Sequence, residues 1–152
     1  MTIESLKEYK LVSTKRAIEV FPNASKLAHS TNIKSTECLG NAYNIGKKTK
    51  AKIVEGIVLV CVDDKPHGVF GHCWNKIDST HFDFTLDFAQ PIAVSMIPGE
   101  KSFKYFEMVE NSPRKYYKKA ADRNLSWFTE SIKFGQFLKD LGSEKLSELF
   151  CC

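Results

Sequence analysis

From Ile53 to Val62 the chain carries Ile53-Val54-Glu55-Gly56-Ile57-Val58-Leu59-Val60-Cys61-Val62, an almost unbroken β-branched and aliphatic run. A strand wet on one face would alternate with polar residues. The lack of alternation here predicts a central strand buried on both faces. Asp63-Asp64-Lys65-Pro66 follows as a turn by composition. Val69 to Ile77 and His81 to Phe88 read as the next two strands, joined by a tight turn around Asp78-Ser79-Thr80. A further strand pair is expected at Ile92 to Ile97 and Phe103 to Val109, turning at Pro98-Gly99.

Helical patterns flank this strand-rich middle, so the predicted class is α+β in a single domain, 1–152. Residues 3 to about 30 read as helix in pieces, broken at Pro22-Asn23, with Ala24 to His29 as a short second piece. Asn32 to Ser35 is a polar connector. Ser35 is the expected N-cap of a helix whose first turn holds Thr36, Glu37 and Cys38. Cys38, Ala42 and Ile45 share one face of it, and Gly46 before Lys47-Lys48 is the expected stop. Beyond the strands, Ser112-Pro113 opens a helix to about Arg123, Leu125 to Leu141 forms a second, and Ser143 to Phe150 a third.

The formal charge of +4 is mild and does not by itself point to nucleic acid. Lys47-Lys48-Thr49-Lys50-Ala51-Lys52 and Arg114-Lys115-Tyr116-Tyr117-Lys118-Lys119 are basic, but acidic residues elsewhere nearly balance them, so nucleic acid is not the expected partner. Charge interrupts the opening residues as a secretory signal would not allow. No apolar run nears the ~20 residues of a membrane span. Five cysteines without a CxxC pair fit free thiols in a reducing cytoplasm, and Cys151-Cys152 reads as an unmodified tail.

Three residues carry candidate chemistry: Cys38 near a helix start, His72 on one strand and Asp83 on the next. With a two-residue loop, strand partners have opposite parity. His72 then lies opposite or diagonal to Asp83 on one face, within reach of an imidazole–carboxylate hydrogen bond. A helix start favours the thiolate, and unpaired first-turn amides could hold an oxyanion. In such a triad Cys38 is the nucleophile, His72 the base and Asp83 the orienting group. Each residue also fits a bland role: Cys38 a small core residue, His72 a satisfied buried histidine, Asp83 a turn or cap residue.

Cys38-Leu39-Gly40-Asn41-Ala42, Ile53-Val54-Glu55-Gly56, His72-Cys73-Trp74-Asn75 and Asp83-Phe84-Thr85 occur in this order. The set resembles a pattern in small phage and bacterial proteins of the transglutaminase-like and papain-like cysteine enzyme superfamily, where C-x-x-N-A, V-E-G, H-x-W-N and D-x-T recur. The likeness covers about Ser35 to Thr85. It implies a papain-like core, with the Cys-bearing helix packed on an antiparallel sheet bearing His and Asp. It also implies catalysis by Cys38, His72 and Asp83, with Asn41 and Trp74 lining or bracing the substrate site, and no cofactor. Two departures are visible: no Gln precedes Cys38 to serve an oxyanion hole, and Cys73 fills a position usually small, pointing away from His72.

The expected activity is acyl transfer through a thioester, by hydrolysis, deamidation or transamidation, on a protein or peptide substrate. The alternative is a binding module that keeps the fold without the chemistry, such as a phage-encoded inhibitor of a host protein. A zinc site from Cys38, Cys61, His72 and Cys73 matches no standard ligand spacing. His67 and His81 are spare bases.

Overall fold

The computed structural model describes residues 10–35, 37–111 and 136 of the 152. In chain order its elements are β1 (Lys10–Val12), β2 (Thr14–Lys15), α1 (Ala17–Val20), α2 (Ala24–Thr31) and α3 (Cys38–Thr49). There follow β3 (Lys52–Val62), β4 (Lys65–Ile77), β5 (Thr80–Phe82), α4 (Phe84–Phe88), α5 (Ile92–Ser95) and β6 (Lys101–Asn111). The fold is α+β around a mostly antiparallel six-stranded sheet, ordered β1-β6-β3-β4-β5-β2.

The aliphatic run forms β3 and lies between β4 and β6, buried on both faces. Against one face pack Trp74, Leu86 and Tyr105, with Val12, Phe70 and Phe103 around them. Against the other pack Cys73 and Ala42, with Cys38, Leu39 and Tyr43 of α3. A neighbouring cluster joins Ile45 to Ala17, Ala24, Ala28, Phe82 and Phe84, which ties α1, α2 and α4 to the same side. Apolar side chains on both faces are thus removed from water, which is the condition a strand without alternation requires.

The sheet nearly closes on itself. β1 pairs with β6 at one edge and β2 pairs with β5 at the other, yet only Ser13 separates β1 from β2. Two trans peptides span no more than about 7 Å, so the two edges meet at this strap. Closure explains why residues 10–15 are extended rather than helical as expected: each edge offers unpaired backbone groups that the strap satisfies. The strap is fastened where the Ala17 amide donates to Asp87 Oδ2 at 2.6 Å.

Further differences have local causes. The predicted turn at Asp63-Asp64-Lys65-Pro66 is shorter: Asp63 and Asp64 turn with φ of 48° and 62°, and Val62 already pairs with Lys65. Pro66 sits beside a bulge, where a missing amide is tolerated. α3 runs past Gly46 to Thr49, because Lys50 takes the left-handed C-cap position at φ 61° while Thr49 Oγ1 bonds the Ile45 carbonyl. Its N-cap is Glu37 rather than Ser35. Ile92 to Ile97 is not a strand; Ile92–Ser95 forms a single helical turn after Pro91, and β6 pairs with β3 and β1 instead. Gly99 turns at φ 109°, and Asp63 Oδ1 accepts from the Glu100 amide at 2.9 Å, which fixes the entry to β6. Of the helices expected beyond Ser112, only Gln136 is among the described residues, and it is helical.

Candidate active site

Asp83 ends the strand that was expected to continue through Phe88. Its backbone is still extended (φ −136°, ψ 98°), and its Oδ1 accepts from the Thr85 and Leu86 amides at 3.0 and 3.2 Å, capping α4. Local capping outcompetes the ladder here, as Asp side chains do when backbone amides lie two and three residues on. The turn Asp78-Ser79 has two residues, and Asn75 pairs with Phe82, so Asp83 falls diagonal to His72 just past the last ladder pair.

Asp83 Oδ2 lies 2.7 Å from His72 Nε2 and accepts from the Tyr105 hydroxyl at 2.9 Å. The carboxylate thus accepts four hydrogen bonds while only 3% exposed. His72 is equally sealed. Its ring stacks on Trp74 at 6.4 Å and 18°, and meets the edge of Phe70 at 5.4 Å. Nε2 given to Asp83 leaves Nδ1 as the ring nitrogen free to act with the thiol of Cys38, which is among the groups that shift His72.

Cys38 is the first residue of α3 and half-buried. Glu37 provides no side-chain cap, so the first-turn amides are not taken up by it. Cys38 packs against the cluster that holds Cys73, and both Cys73 and His72 act on its thiol. Hydrogen bonding from Cys73 acts most strongly, burial opposes it, and the His72 ring adds a hydrogen bond and a charge; together they bring the Cys38 thiol down to about 4. For His72, burial works against the charged ring, but Asp83 and then Cys38 outweigh it and raise the imidazole to about 10. Cys38 and His72 therefore stand as thiolate and imidazolium across neutral pH. Cys73 is pushed the other way, first by its hydrogen bond to Cys38 and then by burial, and remains a thiol.

Cys73 points away from His72, as expected, but acts on Cys38. Strand alternation does send it to the face opposite His72, yet both side chains converge on Cys38, which lies where the start of α3 meets β4. Asn41 is buried: Nδ2 donates to the Lys34 carbonyl and Thr85 Oγ1, and Oδ1 accepts from the Lys34 amide. It braces the approach to α3 against α4. Trp74 is buried behind the His72 ring, its Nε1 donating to His81 Nδ1 at 3.0 Å. That bond engages His81, whose Nε2 faces Glu107 at 3.7 Å; His67 is exposed on β4.

No protein-family model, curated protein or solved structure matches this chain.

Tyr105 was not singled out by sequence, and Asn75, which closes the H-x-W-N motif, was given no role there. Tyr105 alternates with Phe103 on the inner face of β6, and a buried Tyr needs a partner for its hydroxyl; that pattern was the available signal. Asn75 Nδ2 donates to the carbonyls of Ala42 and Lys52, pinning α3 to β4. A cavity of about 200 Å³ borders Asp83 and Tyr105 beneath the strap, lined also by Thr14, Arg16, Leu86 and Phe103. Among the described residues no group of three or more His, Cys, Asp or Glu could hold a metal ion. Cys61 is disulfide-bonded, so the expectation of free thiols does not hold for it. Lys48 and Lys52 of the basic run engage Ser30 and Glu110, and Lys47 lies over the Tyr43 ring. The second basic run lies outside the described residues. No helix among the described residues is long and apolar enough to cross a membrane.

Proposed function

We propose that this chain is a cysteine-dependent acyl-transfer enzyme acting on an amide, isopeptide or glutamine side-chain carbonyl of a protein or peptide. The observation that carries the reading is the linked set Cys38–His72–Asp83, with His72 Nε2 at 2.7 Å from a carboxylate that is itself held by three further donors. The Cys38 thiolate attacks the carbonyl carbon, and amides of the uncapped first turn of α3 stabilise the oxyanion. The His72 imidazolium gives its proton to the departing amine, leaving a thioester. Water or a second amine, deprotonated by His72, then attacks the thioester and returns the thiolate. Asp83 keeps the ring oriented through both steps.

The helix-borne Cys against a sheet-borne His supports a papain-like or transglutaminase-like core as the finer description of the fold. The carboxylate here caps the helix after the strand rather than standing within it.

The test is labelling with iodoacetamide at about pH 5, where an ordinary thiol is almost wholly protonated. Cys38 is expected to react alone and fast, and the reaction to disappear in Cys38→Ala. An activated peptide ester should then leave an acyl adduct on Cys38 visible in the intact mass. Slow, equal labelling of all free cysteines would refute the proposal.

A further inference from the structure

We propose that Cys38 and Cys73 form an oxidation site at which a hydroperoxide converts the two thiols into a reversible disulfide. Both are free cysteines, packed in one cluster with Ala42 and Ile53. Cys38 packs against the cluster that Cys73 forms, and Cys73 is the neighbour that acts most strongly on its thiol. Cys38 is partly exposed, whereas Cys73 is 0% exposed, so an oxidant reaches the pair through Cys38. The geometry thus separates an attacking thiol from a resolving one, the division of labour that reversible thiol oxidation needs.

The chemistry balances without further groups. The Cys38 thiolate attacks one peroxide oxygen and the O–O bond breaks. The other oxygen leaves as alcohol or water with a proton from the neighbouring imidazolium of His72. Cys38 is then a sulfenic acid, oxidised by two electrons. The Cys73 sulfur attacks the Cys38 sulfur, the S–S bond forms and the S–O bond breaks. Hydroxide departs as water with the proton that Cys73 gives up.

The order of events is built into the contact. While Cys38 is a thiolate, its negative charge and its acceptance of the Cys73 hydrogen bond hold Cys73 protonated. Conversion of Cys38 to a neutral sulfenic acid removes the largest of the causes that hold Cys73 protonated and leaves burial, so the resolving thiol ionises more readily after the attacking one has been oxidised than before. A dithiol reductant reverses the reaction. In the disulfide the nucleophile is masked and the first residue of α3 is tied covalently to β4.

This inference needs an activated Cys38 but not acyl transfer, so the two readings fail separately. The full-length protein is treated with stoichiometric hydrogen peroxide, digested without reduction and mapped by mass spectrometry. The expected result is a Cys38–Cys73 cross-linked peptide pair lighter by two hydrogens. Cys38 alkylation should fall by at least about tenfold and return after dithiothreitol. Cys73→Ser, or Cys73→Ala should that variant fold better, should instead take up two or three oxygens at Cys38, irreversibly. Over-oxidation of Cys38 in the unmodified protein without the cross-linked pair would overturn the proposal, as would a peroxide-induced disulfide joining Cys38 or Cys73 to any other cysteine. Neither outcome would alter labelling of the reduced protein at low pH.

Discussion

Replacing Asp83 by asparagine changes one atom type in a fully bonded site. The amide oxygen can keep the Thr85 and Leu86 amides, which Oδ1 now accepts at 3.0 and 3.2 Å. Its NH2 group then faces His72 and Tyr105, where a carboxylate oxygen accepted from both. Two donors cannot share that contact. His72 must present Nε2 as an acceptor, carry its proton on Nδ1 and lose its positive charge. Cys38 is left without its cation, and its thiol rises from about 4 toward the ordinary 9.0.

The consequence for reactivity follows from two opposing effects. A higher pKa leaves less thiolate, but each thiolate is more nucleophilic, with a Brønsted slope of about 0.45 toward disulfides. Across five pKa units the second effect is worth about 180-fold. The variant should therefore react with an aromatic disulfide about 50-fold more slowly near pH 5, within about twofold near pH 7, and about 90-fold faster near pH 9. Cys73 keeps its own hydrogen bond to Cys38 in this variant, so these ratios are limits. Stopped-flow rates from pH 4 to 10 supply the curves. Crossing profiles are the signature; parallel ones would mean that the Cys38 thiolate does not depend on the His72–Asp83 pair.

Three more outcomes can be checked on the folded protein. A methyl group on Gly56 would meet the Phe106 carbonyl oxygen and lie 2.6 Å from Trp74 Cη2, so Gly56→Ala should cost about 2–4 kcal/mol in urea unfolding. Tyr105→Phe removes the 2.9 Å donor to Asp83 Oδ2 and should cost about 1–2 kcal/mol, read as a lower denaturation midpoint with the sheet retained. The ionised pair also sets a pH signature. Cys38, lowered from 9.0 to about 4, makes stability rise with pH between those values, complete above 9.0 and lost as pH falls through about 4. His72, raised from 6.5 to about 10, contributes fully below 6.5 and loses its contribution as pH rises through about 10. The stability difference between the protein and Cys38→Ala/His72→Gln should rise from pH 4 to 6.5, stay level to 9 and fall beyond. A difference that climbs steadily through that range would refute the paired assignment.

What could be read from sequence followed the strength of the physical signal. The centre of the sheet was legible because ten consecutive residues, Ile53 to Val62, have almost no polar face to turn outward. The Asp78-Ser79 turn was legible because its neighbours leave room for little else. The strap at residues 10–15 was not, since its extended state depends on two sheet edges supplied by residues dozens of positions away. Ile92 to Ile97 misled because a short apolar stretch has the same composition as a strand and as one helical turn. Tyr105 was missed because its role exists only once β6 lies two strands from β4, an order that local pattern does not encode.

Asp83 shows why a site can be legible when the element carrying it is misread. Phe82, Phe84, Leu86 and Phe88 alternate as a strand would, and that period hid the helical turn at 84–88. The contact with His72 nevertheless depends only on the parity set by the two-residue turn and on Asp83 remaining extended, and a helix N-cap residue is extended as a strand residue is. Capping then improves on what a strand position would provide. A carboxylate standing in mid-strand could swing between rotamers. Here Oδ1 is committed to two backbone amides, so Oδ2 has one orientation left, the one that meets His72 and Tyr105. The start of α4 therefore acts as the rigid mount of the orienting group, just as the start of α3 mounts the thiolate. The imidazole is held between two helix N-termini by the sheet that positions both.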